Sequence, residues 1–311
     1  MYKNQVITVV VPAYNEEKVI LSVIETMPSF VDQIIVVDDC STDGTYALVQ
    51  KVLGGRTVLI SSGQNRGVGG AVVLGYKKAL DSGSDIVVKM DGDAQMLPEY
   101  LDKLLDPLIE DGYAYTKGNR FLLPAFLTAM PRQRLLGNVI LTFMTKLASG
   151  YWHIFDPQNG YTAIRAEYLR RLDLEKLHKG YFFENDMLYN LNLQNARVKD
   201  VAIPSKYGDE VSSLSILQVA VTFPFLLLRR FVSRITWKYV VRDFSPIALF
   251  LILGMSLFSW GFLFGAYAWI RSSVTDELAS TGTVMLSVLP LIMGFQLILQ
   301  AIVLDIAETP K

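Results

Sequence analysis

Short apolar runs alternate with stretches of helical spacing along the first part of the chain. Four runs rich in β-branched residues predict buried strands at residues 6–11, 33–37, 57–61 and 86–90. Between the first two runs, apolar residues recur three or four positions apart, as at Val19, Val23 and Met27, which predicts a helix. Because right-handed crossovers join strands that alternate with helices, the pattern predicts an α/β fold with a mostly parallel, doubly wound sheet.

Polar residues gather directly after each predicted strand. They occupy residues 12–17, 38–45, 65–70 and 91–95. Sheets of this kind bind ligands at the carboxyl ends of their strands, so we expect these clusters to form one site. Gly67, Gly69 and Gly70 do not have the position or the spacing of a dinucleotide-binding fingerprint, and we interpret them as a tight loop with close helix packing.

Two aspartates one residue apart, Asp91 and Asp93, follow the fourth strand. On an extended chain they would point to the same face and share a cation. Oxygen ligands without a nearby Cys or His suit Mg²⁺ or Mn²⁺, which keeps some waters and takes phosphate oxygens as further ligands. The alternative is that Asp91-Gly92-Asp93 is only a polar turn, because Asp-Gly pairs are common in turns.

The second half of the chain changes from amphipathic to continuously apolar. Residues 216–244 mix apolar residues with five basic ones, which predicts juxtamembrane amphipathic helices lying on a membrane surface. Residues 246–270 and 283–304 would span ~38 and ~33 Å as helices, enough to cross a hydrocarbon core of ~30 Å. Because the loop between the spans carries a single basic residue, we expect both termini in the cytoplasm. The predicted divisions are 1–212, 213–244 and 245–311.

Composition narrows the function classes. The chain has 311 residues and a formal net charge of −1 at pH 7, which is too balanced for binding nucleic acid through a basic surface. The single cysteine, Cys40, excludes an internal disulfide, and the first apolar run is too short and lacks the basic flank of a signal peptide. We therefore expect a first domain that stays in the cytoplasm and binds no nucleic acid.

Four motifs resemble, in residues and in order, the signatures of glycosyltransferase family 2. They are PAYNEE at 12–17, VDDCSTDGT at 37–45, NRG at 65–67 and DGDAQ at 91–95. GNRF at 118–121, DPQNGY at 156–161 and the apolar hairpin are similar to the polyprenyl-phosphate glycosyltransferases within that family. The resemblance implies a GT-A fold for residues 1–212, a UDP- or GDP-sugar donor, bound Mg²⁺ or Mn²⁺, and inverting transfer of one sugar to polyprenyl phosphate.

The resemblance also implies roles for individual residues. The residues that would hold the nucleotide are Pro12, Tyr14, Glu16, Val37, Asp39, Asp91, Gly92, Asp93 and Lys206. Lys206 lies at a basic position that closes on the diphosphate in the family. Asp91, Asp93 and Gln95 would be the metal ligands, and Asp91, Asp93 and Arg120 the catalytic residues.

Arginines are expected to meet the lipid phosphate. The resemblance places Arg120 toward the sugar phosphate and the acceptor. We predict that Arg229, Arg230 and Arg234, in the basic amphipathic stretch, steer the acceptor at the membrane surface. The alternative is that these three arginines only bind anionic lipid headgroups.

Two acids late in the first domain, Glu184 and Asp186, allow two interpretations. They would lie near the sugar or the acceptor, or they would form a solvated helix start, where the helix dipole favours acids.

Other functions are alternatives to this reaction. A membrane-bound polysaccharide synthase, or a transferase acting on another lipid acceptor, is the alternative. A processive synthase needs a Gln-x-x-Arg-Trp element, but no Trp of this chain follows an Arg, and two spans are too few for a channel. A non-enzymatic adaptor with a degenerate domain would be expected to lose its acids, which are present. Glycines in both spans would permit close helix packing and leave a homo-oligomer open.

Overall fold

A computed structural model describes residues 1–122, 132–204 and 216–310. Its first unit, residues 1–230, is built on one seven-stranded sheet. The strands are β1 (Ile7–Ala13), β2 (Gln33–Asp38), β3 (Thr57–Ser61), β4 (Ile86–Lys89), β5 (Tyr115–Asn119), β6 (Thr162–Arg165) and β7 (Val198–Ala202). Their order is β3-β2-β1-β4-β6-β5-β7. Strand β6 runs antiparallel to β4 and β5 and the other pairings in this order are parallel, so the predicted mostly parallel α/β sheet is confirmed.

Helices cover both faces of the sheet. They are α1 (Ile20–Glu25), α2 (Thr45–Lys51), α3 (Val68–Asp81), α4 (Leu101–Ile109), α5 (Arg132–Ser149), α6 (Ala166–Leu169) and α7 (Phe183–Leu193). A further helix, α8 (Ile216–Arg234), follows β7 along the chain. Alternate residues of β1 enter two separate cores, because neighbouring side chains of a strand point to opposite faces. Val10 lies in one buried cluster with residues of α3 and α7, whereas Val9 and Val11 lie in a second cluster with residues of α1 and α4.

The glycine-rich start of α3 packs directly against another segment of backbone. Gly67 has a φ of 76°, and a Cβ atom there would lie 2.8 Å from the carbonyl oxygen of Lys179. A Cβ atom at Gly69 would overlap the carbonyl oxygen of His178. The N–H of Gly70 donates to the carbonyl of Lys179 at 3.0 Å. These contacts confirm that the glycines serve close packing.

The second unit, residues 231–309, contains a π-helical segment, Ile235–Val241, and two long apolar helices. Helix α9 spans Pro246–Thr275 and α10 spans Thr281–Ala307, and both are long and apolar enough to cross a membrane. The two predicted spans are therefore confirmed as helices. A Cβ atom at Gly254 would lie 3.0 Å from the carbonyl oxygen of Gly294, so these glycines allow close packing inside the hairpin.

Candidate active site

Two loops at the carboxyl ends of β1 and β2 are tied together by hydrogen bonds. Asn15, with a φ of 59°, accepts the N–H of Thr42 on Oδ1 at 2.8 Å, and the N–H of Glu16 donates to Thr45 Oγ1 at 2.8 Å. Tyr14, beside them, is 47% exposed. Tyr14 and Glu16, two of the residues predicted to bind the nucleotide, therefore lie at one accessible edge of the sheet.

The other residues predicted to bind the nucleotide at the ends of β1 and β2 are buried. Pro12 pairs with Val37 across the two strands, and the Val37 side chain lies in the core on the α3 face. The predicted role of Val37 in nucleotide binding stays a prediction, and its buried side chain leaves the backbone as the part of Val37 that would lie beside the nucleotide. The carboxylate of Asp39 is buried, and its Oδ1 accepts the N–H of Arg66 at 2.8 Å. Pro12, Val37 and Asp39 are therefore the buried part of this edge, and Tyr14 is its exposed part.

The two aspartates after β4 lie in a turn. Strand β4 ends at Lys89, one residue earlier than predicted, and Gly92 and Asp93 form the turn itself. The argument from an extended chain is therefore wrong, and the alternative of an Asp-Gly turn describes the backbone. The N–H of Gly92 donates to the carbonyl of Pro12 at 3.3 Å, which holds the turn against the end of β1. Cation sharing by Asp91 and Asp93 stays a prediction.

The chemistry of this turn fits a divalent cation. Asp91, Asp93 and Gln95 are all half-buried, and the N–H of Gln95 donates to Asp93 Oδ1 at 3.0 Å. Within residues 1–122, 132–204 and 216–310, no three His, Cys, Asp or Glu side chains form a metal cage. Two carboxylates and an amide oxygen, completed by phosphate oxygens and water, are a ligand set that Mg²⁺ or Mn²⁺ accepts. Lys206, predicted to close on the diphosphate, lies outside the described residues.

A buried lysine that the sequence analysis missed contacts the first aspartate. Lys89 is 1% exposed, and its Nζ lies 2.6 Å from Asp91 Oδ1 and 3.0 Å from Glu184 Oε1. Nζ also donates to the carbonyl of Gly160 at 3.4 Å. Burial alone would lower the pKa of Lys89, but the two carboxylates outweigh it and hold that pKa above its ordinary value. The sequence signal for this residue is a lysine inside an otherwise apolar strand.

A second buried lysine occupies the matching position on β5. Lys89 pairs with Thr162 and Thr162 pairs with Lys117, so the three side chains point to one face of the sheet. The Nζ of Lys117 donates to the carbonyl oxygen of Asn159. Burial lowers the pKa of Lys117 to about 8. The two lysines thus bind the carbonyl groups of consecutive residues, Asn159 and Gly160.

Arg120 directly follows β5 and is held by Asp156. Its Nε donates to Asp156 Oδ2 at 2.7 Å and its Nη2 donates to Oδ1 at 2.7 Å. Burial would raise the pKa of Asp156, but the bonds from Arg120 outweigh it and lower that pKa. The Arg120 side chain is 21% exposed, so the predicted acceptor residue is fixed and still accessible. The DPQNGY segment contains both Asp156 and Gly160, and Gly160 lies against Asp91, so this segment brings Arg120 and Asp91 to one edge.

Glu184 and Asp186 are both buried in the first turn of α7. The interpretation as a solvated helix start is therefore wrong. Asp186 Oδ1 lies 2.6 Å from Arg230 Nε, its Oδ2 accepts from Arg230 Nη2 at 3.0 Å, and the N–H of His178 donates to Oδ2 at 2.9 Å. Burial raises the pKa of Asp186, and Arg230 offsets this only in part. The two acids anchor α7 through Lys89 and Arg230.

The three arginines of the basic stretch have different surroundings. Arg229 is exposed, and Arg230 is engaged by the carboxylate just described. Arg234, within the second unit, is fully buried, with Nη1 at 2.6 Å from Asp305 Oδ1 and Nη2 at 2.9 Å from Oδ2. The Tyr239 hydroxyl donates to the same Oδ1 at 2.6 Å. This enclosure corrects the prediction that Arg234 steers a lipid phosphate, because its guanidinium is committed to a buried ion pair.

The mixed sheet, with an acidic turn at the end of a central strand, is a GT-A type of glycosyltransferase fold. Glucosyl-3-phosphoglycerate synthase from Mycobacterium tuberculosis, solved in complex with Mn²⁺, uridine diphosphate and phosphoglyceric acid, aligns with a TM-score of 0.55 at 22% identity. The alignment covers 74% of this chain and 78% of that chain. At this identity the likeness shows the fold alone.

Sequence comparison gives the family. The profile described as Glycosyl transferase family 2 matches residues 8–173. The UDP-N-acetylglucosamine–dolichyl-phosphate N-acetylglucosaminyltransferase of Methanococcus voltae is 32% identical over 221 residues, covering 66% of this chain and 88% of the relative. The dolichol-phosphate mannosyltransferase of Pyrococcus furiosus is 26% identical over 291 residues, covering 91% of this chain and 78% of the relative. The chain belongs to glycosyltransferase family 2 and is a glycosyltransferase, and its resemblance to the polyprenyl-phosphate glycosyltransferases is confirmed.

Proposed function

We propose that the protein transfers a single sugar from a nucleotide sugar to polyprenyl phosphate, with inversion at the anomeric carbon. One observation carries the proposal: the DPQNGY segment brings Asp91 and Arg120 to the same edge of the sheet. A carboxylate suits the cation of a nucleotide diphosphate, and an arginine fork suits a phosphate acceptor. The apolar helices α9 and α10 supply the membrane anchor that a lipid acceptor requires.

The donor would bind across the ends of β1, β2 and β4. Tyr14 and Glu16 would meet the base and the ribose at the accessible edge, and Asp39 would support them from behind. Gly92 would keep this turn close to the end of β1, because a Cβ atom there would lie 3.1 Å from the carbonyl oxygen of Pro12, and its backbone would lie beside the diphosphate. The base is uridine or guanosine, and the name of the Methanococcus relative, which includes a UDP-sugar, favours testing uridine donors first.

Asp91, Asp93 and Gln95 would hold the divalent cation, either Mg²⁺ or Mn²⁺. When bound, such a cation neutralises negative charge on a leaving diphosphate. The glucosyl-3-phosphoglycerate synthase structure that shares the fold is a complex with Mn²⁺, which supports the same class of ion. The basic residue Lys206 would add positive charge to the diphosphate.

The acceptor chemistry needs little from a protein base. A phosphate monoester is already anionic near neutral pH, with a second pKa of about 6. One of its oxygens would bond to the anomeric carbon while the bond from that carbon to the nucleoside diphosphate breaks. Arg120, fixed by Asp156, would orient the attacking phosphate, and Arg229 and Arg230 on α8 would attract it.

The site would face the cytoplasm of a membrane-bound protein with two spans. The basic residues before the first span outnumber those of the loop between α9 and α10, which supports cytoplasmic termini. In a Cys40→Ser background, an impermeant thiol reagent should label Ser280→Cys from outside intact cells. Outside labelling confined to a cysteine of the first unit would reverse this topology.

A donor and acceptor screen tests the function. Purified protein is incubated with polyprenyl phosphate, Mg²⁺ or Mn²⁺, and labelled UDP- or GDP-sugars in turn. We expect one donor to give a labelled product that partitions into organic solvent. A labelled polymer that stays in water would support the polysaccharide synthase instead, and transfer only to a different lipid would support another acceptor.

A further inference from the structure

We infer that Lys89 and Glu184 form a positioning pair for the cation site: Lys89 fixes the orientation of Asp91, and Glu184 cancels the charge that Lys89 brings. The inference rests on the proposed cation site at Asp91 and Asp93. It adds two residues that would act through Asp91 without touching the cation or the substrate.

The pair is closely enclosed. Both side chains are buried, and the Nζ of Lys89 lies between the carboxylates of Asp91 and Glu184 at 2.6 and 3.0 Å. Gly160 closes the cluster, because a Cβ atom there would overlap Nζ of Lys89 and lie 2.6 Å from Asp91 Oδ2. The contact at 2.6 Å joins Nζ of Lys89 to Oδ1 of Asp91, so Lys89 fixes the orientation of that carboxylate.

Charge explains why two residues are needed. An ammonium group beside a metal ligand would by itself repel a divalent cation. Glu184 places the opposite charge against the same nitrogen, so Lys89 and Glu184 are neutral as a pair. The cation then experiences the two negative charges of Asp91 and Asp93, while Asp91 stays oriented.

Mn²⁺ binding tests the positioning pair independently of sugar transfer. The full-length protein in detergent is titrated with Mn²⁺, and the free ion is measured by its electron paramagnetic resonance signal. In Lys89→Met the contact that orients Asp91 is lost, and we expect Mn²⁺ to bind about tenfold more weakly. In Glu184→Gln the positive charge of Lys89 is no longer cancelled, and we again expect a loss of about tenfold.

The double variant separates a coupled pair from two independent residues. Lys89→Met with Glu184→Gln removes a neutral pair, so its Mn²⁺ affinity should fall about tenfold and not by the product of two losses, about a hundredfold. The matched control is Lys117→Met, which removes a buried lysine from the same register position on β5. We expect Lys117→Met to keep Mn²⁺ affinity within about twofold of wild type.

The outcomes are distinguishable from those of the proposed function. Wild-type protein that does not bind Mn²⁺ would refute the proposed cation site. Wild-type binding that neither Lys89→Met nor Glu184→Gln changes by more than about twofold would refute the positioning pair alone. Glu184→Gln keeps the size and a hydrogen-bonding oxygen of the side chain, so it tests the inference even where Lys89→Met fails to fold.

Discussion

Two parts of the same edge of the sheet, the end of β4 (the β4 edge) and the end of β5 (the β5 edge), carry a buried lysine in different electrostatic environments. Lys89 on β4 contacts two carboxylates, and its pKa rises. Lys117 on β5 contacts a backbone carbonyl, and burial lowers its pKa to about 8. Ion pairing thus stabilises the charged form of the buried lysine at the β4 edge, whereas desolvation destabilises the charged form at the β5 edge. The β4 edge suits fixed charges and a cation, whereas the β5 edge suits groups that change protonation near neutral pH.

The largest expected effect is that of a substitution at Asp93, at the β4 edge. Asp93→Asn should lower sugar transfer about a thousandfold, because it removes one of the two carboxylates proposed to hold the cation. The protein should stay folded, since an asparagine oxygen still accepts the N–H of Gln95. Turnover with Mg²⁺ or Mn²⁺ and thermal unfolding in detergent measure the two effects.

Chelation of the wild-type protein is the matched test of that assignment. It should stop transfer, and added Mg²⁺ or Mn²⁺ should restore it. Turnover of Asp93→Asn at the wild-type rate would remove Asp93 from the cation site.

The next largest effect concerns the arginine of the β5 edge. Arg120→Ala should raise the KM for polyprenyl phosphate about a hundredfold while donor affinity stays near normal, because the acceptor loses a charged, two-pronged donor. Arg120→Lys should restore only part of the loss, since a lysine cannot form the same paired contact. Acceptor kinetics in detergent exclude effects of bulk membrane binding.

Arg229→Ala is the control for Arg120→Ala. Arg229 is exposed on α8, and its loss should change the acceptor KM by about fivefold or less, as expected for a single residue worth ~1 kcal/mol near a lipid surface. An unchanged acceptor KM in Arg120→Ala would remove Arg120 from the acceptor site.

The two edges also differ in how much of them the sequence reveals. The apolar runs place β1 to β4 within one or two residues, because a buried parallel strand needs a continuous apolar stretch. The polar clusters that follow β1, β2 and β4 lie at the carboxyl ends of these strands, where sheets of this kind bind ligands. A few motifs in a fixed order identify the family, and the family indicates the general chemistry that is proposed for the site.

The ion pairs of Glu184, Asp186 and Asp305 could not be predicted, because their partners are far apart in the sequence. Lys89 is a polar residue in an apolar strand, but nothing near it identifies Glu184 as its partner. Arg234 fits the basic pattern of an amphipathic helix equally well whether it faces lipid or, as found, a buried Asp305. Periodicity assigns a residue to a face of its own helix, whereas the tertiary fold decides what covers that face.

The smallest expected effect concerns Asp200 on β7, which pairs in register with Lys117 of β5 and is counted here with the β5 edge. Its Oδ2 accepts the N–H of Phe155 at 2.7 Å and the Nδ2–H of Asn119 at 2.6 Å. Its Oδ1 is buried and finds no hydrogen-bond partner in the part of the chain that the structure describes. Burial raises the pKa of Asp200 to about 7. A proton on this carboxyl group is therefore retained in the folded protein at pH values where an exposed aspartate has lost it.

The raised pKa gives a pH dependence of stability with a defined sign. The unfolded chain releases this proton near a pKa of about 3.9, whereas the folded protein releases it near 7. Between these values the folded state binds more protons, so the free energy of unfolding falls as pH rises, by at most about 1.4 kcal/mol per pH unit. Asp200→Asn cannot ionise and should lose this slope, while Asp111→Asn, at an exposed acid, should keep it. Unfolding in detergent at a series of pH values between about 4.5 and 7 measures the slope. Parallel profiles for wild type and Asp200→Asn would show that the β5 edge does not titrate in this range, and the contrast between the two edges would then rest on Lys117 alone.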